Sequence, residues 1–325
     1  MAASTSPWPG AITAPAGTYA PVDDIDVAAW HHVDSRDGTS IGWRRTYPRA
    51  PRAAGPVPVV LCNGIACSVD YWTILARRLE RERPVVQWDY RGHGVSGMPS
   101  DPDAVTIDDI MDDLDAVLSA ADVPRAVFIG HSFGVQVALE AARRRPEQVA
   151  AVVAIAGSPG APLPPRATRP LTMVESLHHR MPARADEAWR LWWTSPLTHL
   201  AARAMGGTSV AAPRQVMLAY YEHVSTRDVP LLLAMLRAMQ DHDASDVPAL
   251  LDGPVLALAG GADRLTPLPV MTRIALHAPQ GELAVCHGGT HTLPAERPDW
   301  VLEQLRPLLR RIDARPRHID IRAGA

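Results

Sequence analysis

Apolar residues recur in two rhythms along this chain, and the two rhythms alternate. Short runs of mostly consecutive apolar residues occupy Val57–Asn63, Pro84–Asp89, Arg125–Gly130, Ala151–Gly157, Pro254–Ala259 and Glu282–Cys286. Each is too short for a buried helix, and most are rich in valine and isoleucine, which fit a pleated surface, so each reads as a strand. Between them lie stretches with a 3.6-residue period: Tyr71–Glu82, Thr106–Ala121, Phe133–Arg145, Leu268–His277 and Pro298–Ile312. In the second, Ile107, Ile110, Met111, Leu114, Val117 and Leu118 fall on one face, and Asp108, Asp109, Asp112, Asp113 and Asp115 on the other. That pattern predicts an amphipathic helix with a solvated acidic side. Strands without polar alternation, separated by helices, predict an α/β fold whose parallel sheet is covered on both faces. Ahead of them, His31–Ser35 and Thr39–Tyr47 flank Arg36-Asp37-Gly38, a turn signal that predicts an opening hairpin.

After Ala151–Gly157 the strand signal stops until Gly253. Residues 158–252 read as helical pieces broken by Pro164, Pro165, Pro170, Pro182, Pro196, Pro213 and Pro230. They hold Trp189, Trp192, Trp193 and six of the ten methionines, so they predict a helical lid inserted into a core made of 25–157 and 253–313. The Met and Trp side chains suit packing within that lid or contact with an apolar ligand. Residues 1–24, aperiodic and rich in Ala, Pro, Ser, Thr and Gly, read as a flexible arm, and 314–325 as a tail.

Composition removes several chemistries. All 32 basic residues are arginine. Without a lysine there is no Walker-type phosphate loop, no pyridoxal or Schiff-base chemistry and no Ser-Lys hydrolase. A net charge of -3 with no long basic run gives no footprint for nucleic acid. Cys62, Cys67 and Cys286 form no zinc or disulfide spacing and read as free thiols in a reducing compartment. With no signal-like leader and no apolar stretch long enough to span a bilayer, the expectation is a cytoplasmic protein. Gly92-His93-Gly94-Val95-Ser96-Gly97 spells a dinucleotide fingerprint, but Met98-Pro99 follows where a helix should open, so His93 reads as a buried turn residue. His287 and His291 stand four apart, but Gly288-Gly289 separates them and no H-E-x-x-H glutamate is present. The expectation is no metal and no cofactor.

The decisive passage is Val127-Phe128-Ile129-Gly130-His131-Ser132-Phe133-Gly134-Val135, an apolar strand running through Gly-x-Ser-x-Gly into a helix. A serine held on so tight a turn needs glycine on both sides, because a Cβ there would strike the adjoining strand or helix. A serine hydroxyl attacks an ester only with a base, and a histidine base needs a carboxylate to fix its tautomer. Asp263 follows the strand Pro254–Ala259, and His291 lies between the last strand and the last helix, in the right order. Glu296, Pro298 and Trp300 read as helix-start and packing residues.

With these motifs on the page, the chain resembles the α/β-hydrolase superfamily over about residues 30–312. The resemblance is carried by Leu61-Cys62-Asn63-Gly64-Ile65, Asp89-Tyr90-Arg91-Gly92-His93-Gly94-Val95-Ser96, Gly130-His131-Ser132-Phe133-Gly134 and the Asp263 and His291 loops. It implies a mostly parallel eight-stranded sheet with an inserted helical lid. It also implies a lid-bearing, esterase- or lipase-like serine hydrolase that cleaves a carboxylic ester or related acyl bond through an acyl-enzyme. Ser132 would be the nucleophile, His291 the base and Asp263 the orienting acid, with the backbone N–H groups of Ile65 and Phe133 as oxyanion hole. Asn63 stands where the family usually has histidine; its side chain can brace the loop by hydrogen bonding. A serine at the elbow sets aside the dehalogenase and epoxide-hydrolase branches. The same triad also supports perhydrolysis, C–C bond hydrolysis and acyl transfer, and the fold also serves ligand-binding proteins without turnover. The implied partner is a small acyl substrate with an apolar portion.

Overall fold

The computed structural model describes residues 25–26, 29–48, 55–162 and 165–314. The arm expected at 1–24, and all of the expected tail except Ala314, lie outside the described residues. In chain order the strands are β1 (Ile25–Asp26), β2 (His31–Asp34), β3 (Ser40–Pro48), β4 (Val59–Cys62), β5 (Val85–Trp88), β6 (Ala126–His131), β7 (Val149–Ile155), β8 (Val255–Gly260) and β9 (Gly281–Cys286). The helices are α1 (Thr73–Leu79), α2 (Ile107–Ala120), α3 (Phe133–Arg144), α4 (Pro165–Arg180), α5 (Pro182–Thr194), α6 (Pro196–Ala204), α7 (Arg214–Ser225), α8 (Val229–Asp241), α9 (Val247–Leu250), α10 (Leu268–His277), α11 (Leu293–Glu296) and α12 (Pro298–Ala314). The helix expected from Tyr71 begins instead with a 3-10 turn, Val69–Trp72, that leads into α1.

Across the sheet the order is β1-β3-β5-β4-β6-β7-β8-β9, with β2 also on β3. β1 and β2 pair with successive parts of β3, so they share one edge position and the sheet is eight positions wide. From β5 to β9 every pairing is parallel, and β3 joins antiparallel. The apolar runs of β4 to β8 are continuous because these strands are buried along their whole length, whereas the edge strand β9 is partly exposed. In β6, Val127 and Ile129 pack with Leu75, Leu79, Leu305 and Leu309 of α1 and α12. Ala126 and Phe128 pack on the opposite face, with Leu114, Val117 and Leu139 of α2 and α3.

α2 starts where a capping box permits it: Thr106 Oγ1 accepts from the Asp109 N–H, and Asp109 Oδ2 accepts from the Thr106 N–H at 2.8 Å. Its acidic side departs from expectation at one residue. Asp113 is fully buried and holds the Arg91 guanidinium in a two-pronged pair, Nε to Oδ2 at 2.9 Å and Nη2 to Oδ1 at 2.6 Å. The correction has a simple cause: Arg91, on the loop after β5, reaches α2 from outside the helix whose periodicity was read. Helices α4–α9 all lie between β7 and β8 in the chain, in the interval that carried no strand signal.

Candidate active site

Three loops leave the sheet at the carboxyl ends of β6, β8 and β9, where open α/β sheets place their ligand crevice. They bring Ser132, Asp263 and His291 together. Ser132 Oγ lies 3.0 Å from His291 Nε2. His291 Nδ1 lies 3.0 Å from Asp263 Oδ2. With Nδ1–H donating to the carboxylate, Nε2 keeps its lone pair for the serine hydroxyl.

The local chain explains the serine's position. Ser132 sits at φ 54°, ψ -118°, a strained conformation for a residue with a Cβ, where β6 turns into α3. A Cβ on Gly130 would fall 2.1 Å from the Gly134 carbonyl oxygen, and one on Gly134 would fall 2.1 Å from that of Cys62. The crossing backbones therefore require both glycines. Phe133 opens α3, so its N–H is one of those a helix leaves without an intrahelical acceptor. A Cβ on Gly64 would lie 3.3 Å from Ser132 Cβ, which sets the Gly64–Ile65 turn against the serine. Asn63 braces that turn with both ends of its amide: Nδ2 donates to the Trp88 carbonyl at 2.9 Å and Oδ1 accepts from Trp72 Nε1 at 2.7 Å.

Burial pushes the Asp263 carboxyl up, but the hydrogen bond and charge of His291, with Thr266, outweigh it and hold the group below the usual carboxylate range. Its oxygens accept from the N–H groups of Leu265 (2.8 Å) and Thr266 (3.0 Å) and from Thr266 Oγ1 (2.6 Å). Asp263 therefore stays ionised beside the imidazole. His131 stacks on Tyr71 with ring centroids 4.9 Å apart, and its Nε2–H donates to the His291 carbonyl at 2.8 Å. Among the described residues, no group of three or more His, Cys, Asp or Glu is placed to hold a metal ion. His287 is exposed just past β9.

Residues 57–298 match the family described as the alpha/beta hydrolase fold. The chain belongs to that family. RutD of Klebsiella pneumoniae, a carbamate hydrolase by name, is 26% identical over 242 residues, 74% of this chain and 86% of that one. The esterase YbfF of Escherichia coli is 25% identical over 268 residues, 78% and 92% of the two chains. A hydrolase structure from Pseudomonas aeruginosa shares the fold at TM-score 0.69 and 23% identity, over 87% of this chain and 99% of that one. As an alpha/beta hydrolase with such relatives, the chain is an enzyme of the hydrolase class. Among the described residues no helix is long and apolar enough to cross a membrane.

Several residues around this hydrolase's site escaped the reading of the sequence. Thr266 Oγ1 lies between the carboxylate and the imidazole, 3.3 Å from His291 Nδ1. Its signal was the three-residue spacing after Asp263, a hydroxyl able to close back on an aspartate. Glu296, read as a helix-start and packing residue, is instead buried, and it accepts from the Thr290 N–H and from Thr290 Oγ1 at 2.9 Å. No local pattern announces that role.

Two buried imidazoles make stability depend on pH. Burial lowers His93 to about 4 and His131 to about 3, from an ordinary value of 6.5. The folded state thus keeps both neutral, while the unfolded chain protonates them below pH 6.5. Their contribution is complete above that pH and is lost as pH falls toward 4, each at about 1.4 kcal/mol per pH unit. Urea unfolding at pH 7.5 and 5.5 should show an unfolding free energy lower at 5.5 by about 3 kcal/mol from this pair, and with it a lower midpoint. An equal or higher midpoint at pH 5.5 contradicts this assignment.

Proposed function

We propose that this hydrolase cleaves carboxylic esters or related acyl bonds through a covalent acyl-serine. The observation that carries the reading is the aligned pair of 3.0 Å contacts running from Ser132 through His291 to Asp263. In this mechanism His291 Nε2 takes the Ser132 proton as Oγ attacks the acyl carbon. The imidazolium so formed is held by the Asp263 carboxylate and then delivers the proton to the leaving group. Water, activated by the same imidazole, attacks the acyl-enzyme and releases the acid. The oxyanion of each tetrahedral state is received by the N–H groups of Phe133 and Ile65.

The helices between β7 and β8 act as a lid that supplies the apolar wall for the substrate. Trp189, Trp193, Tyr220 and Leu232 pack with Ile65 and Ala66, which supports a lid whose aromatics cover the oxyanion turn. The arrangement suits an acyl or ring portion of apolar character. The buried free thiols of Cys62, Cys67 and Cys286 fit a reducing, cytoplasmic setting.

Purified protein assayed on p-nitrophenyl esters from acetate to octanoate tests both parts. Turnover that rises with acyl length beyond acetate is expected. A clear preference for acetate contradicts an extended apolar pocket, and no turnover of any ester contradicts the ester-hydrolase reading.

A further inference from the structure

We propose that the segment Gly206–Ser209, between α6 and α7, is a strap that positions His291, so that the insertion is part of the base's scaffold as well as a cover. The inference rests on the Ser132–His291–Asp263 reading above. The loop that bears His291 is poorly determined by its own sequence. Gly288, at φ 74°, and Gly289 immediately precede Thr290-His291, and glycine pairs leave a backbone free to turn. Its orientation has to be imposed from outside.

The strap imposes it through residues spanning one short stretch. Gly206 O accepts the His291 N–H at 3.2 Å. Thr208 Oγ1 accepts from Thr292 Oγ1 at 3.1 Å, and Ser209 Oγ donates to Glu296 Oε2 at 2.5 Å. Glu296 passes the restraint on, because it also accepts from the N–H and hydroxyl of Thr290. Thr208, Thr290, Thr292 and Glu296 are all buried. Among the described residues Glu296 has no arginine or histidine within ion-pair reach, so hydrogen bonds alone satisfy its carboxylate. Losing the Ser209 donor would leave Glu296 Oε2 with the Thr290 hydroxyl alone and cut the tie between the strap and this carboxylate.

The strap is seated on the acid loop as well. Gly206 takes φ 69°, and a Cβ there would fall 2.6 Å from the Ala262 carbonyl oxygen, while Arg264 Nη1 donates to the Ala204 carbonyl at 3.2 Å. The result is a backbone clamp on the base. The His291 N–H is held by the strap and its carbonyl by His131 Nε2–H, one tie from the insertion and one from the nucleophile's own turn. Strap residues touch no reacting atom and are positioning residues. Any opening of the lid then has to occur elsewhere than at 206–209.

The test is made in the full-length chain with Ser209→Ala, which removes one donor at a half-buried position, and with Thr208→Val/Ser209→Ala. For p-nitrophenyl butyrate, kcat is expected to fall about tenfold in the single and toward a hundredfold in the double variant, with KM within about threefold of wild type. The second-order rate of labelling by a fluorophosphonate should fall in the same ratio, and Ser209→Thr should recover most of it, all measured well below each variant's Tm. A Ser209→Ala enzyme with kcat and labelling rate within twofold of wild type overturns the strap. So does a loss shared equally between kcat and KM. A wild-type protein that takes no label overturns instead the nucleophile reading on which the strap depends.

Discussion

Ser132→Ala is expected to lower kcat by at least about a thousandfold, and His291→Ala by a similar factor, while the double variant is scarcely worse than either. The size follows from what each group supplies. In the proposed mechanism there is no acyl-enzyme without Oγ. Without the imidazole the hydroxyl keeps its proton, and about 4 kcal/mol or more of barrier lowering is lost. Non-additivity follows from the 3.0 Å contact between Oγ and Nε2, because two groups that act as one unit can be lost only once. Initial rates on an ester that the wild type hydrolyses check this directly. Losses that multiply in the double variant would mean that the two residues act separately.

Asp113→Ala is expected to be the most destabilising single change away from the site, by about 3–5 kcal/mol in urea unfolding. Arg91 is 2% exposed, and Asp113 supplies both prongs of its buried pairing. Asp37 Oδ2 at 2.9 Å and the Asp109 carbonyl at 3.1 Å hold other guanidinium protons, but neither replaces the pair. Deleting the carboxylate leaves two donors unmet in a dry site and the partly exposed Asp37 as the nearest counter-charge. Replacing both residues by apolar ones of similar size, as in Arg91→Met/Asp113→Leu, should recover much of the loss, since the cost arises from the buried guanidinium's unmet donors. A loss below about 1 kcal/mol in Asp113→Ala would show that water reaches Arg91.

The same two regions mark how far the sequence could be read. The strands were legible because a strand buried on both faces must be apolar at every position, as Val127, Phe128 and Ile129 are. The elbow was legible because steric necessity writes itself as glycine, at Gly130 and Gly134. Asp113 was misread because helix periodicity describes the helix alone, while its partner Arg91 arrives from the loop after β5. Glu296 and Ser209 join across 87 residues, a tie that exists only once the insertion has folded back onto the last helices. The opening hairpin was read correctly at β2 and β3, while β1 pairs at the same edge with too few residues to leave a pattern. Local rules thus found the elements and the three side chains that meet at the carboxyl ends of β6, β8 and β9. The residues that hold those side chains are set by contacts distant in sequence.

The most direct measurement is mass spectrometry of the intact and digested protein after treatment with a fluorophosphonate. One adduct per chain, mapped to Ser132 and absent from both Ser132→Ala and His291→Ala over the same time, is the predicted result. An unmodified wild-type protein, or a Ser132→Ala variant that takes up the label as fast as wild type, contradicts the assignment of Ser132 as nucleophile.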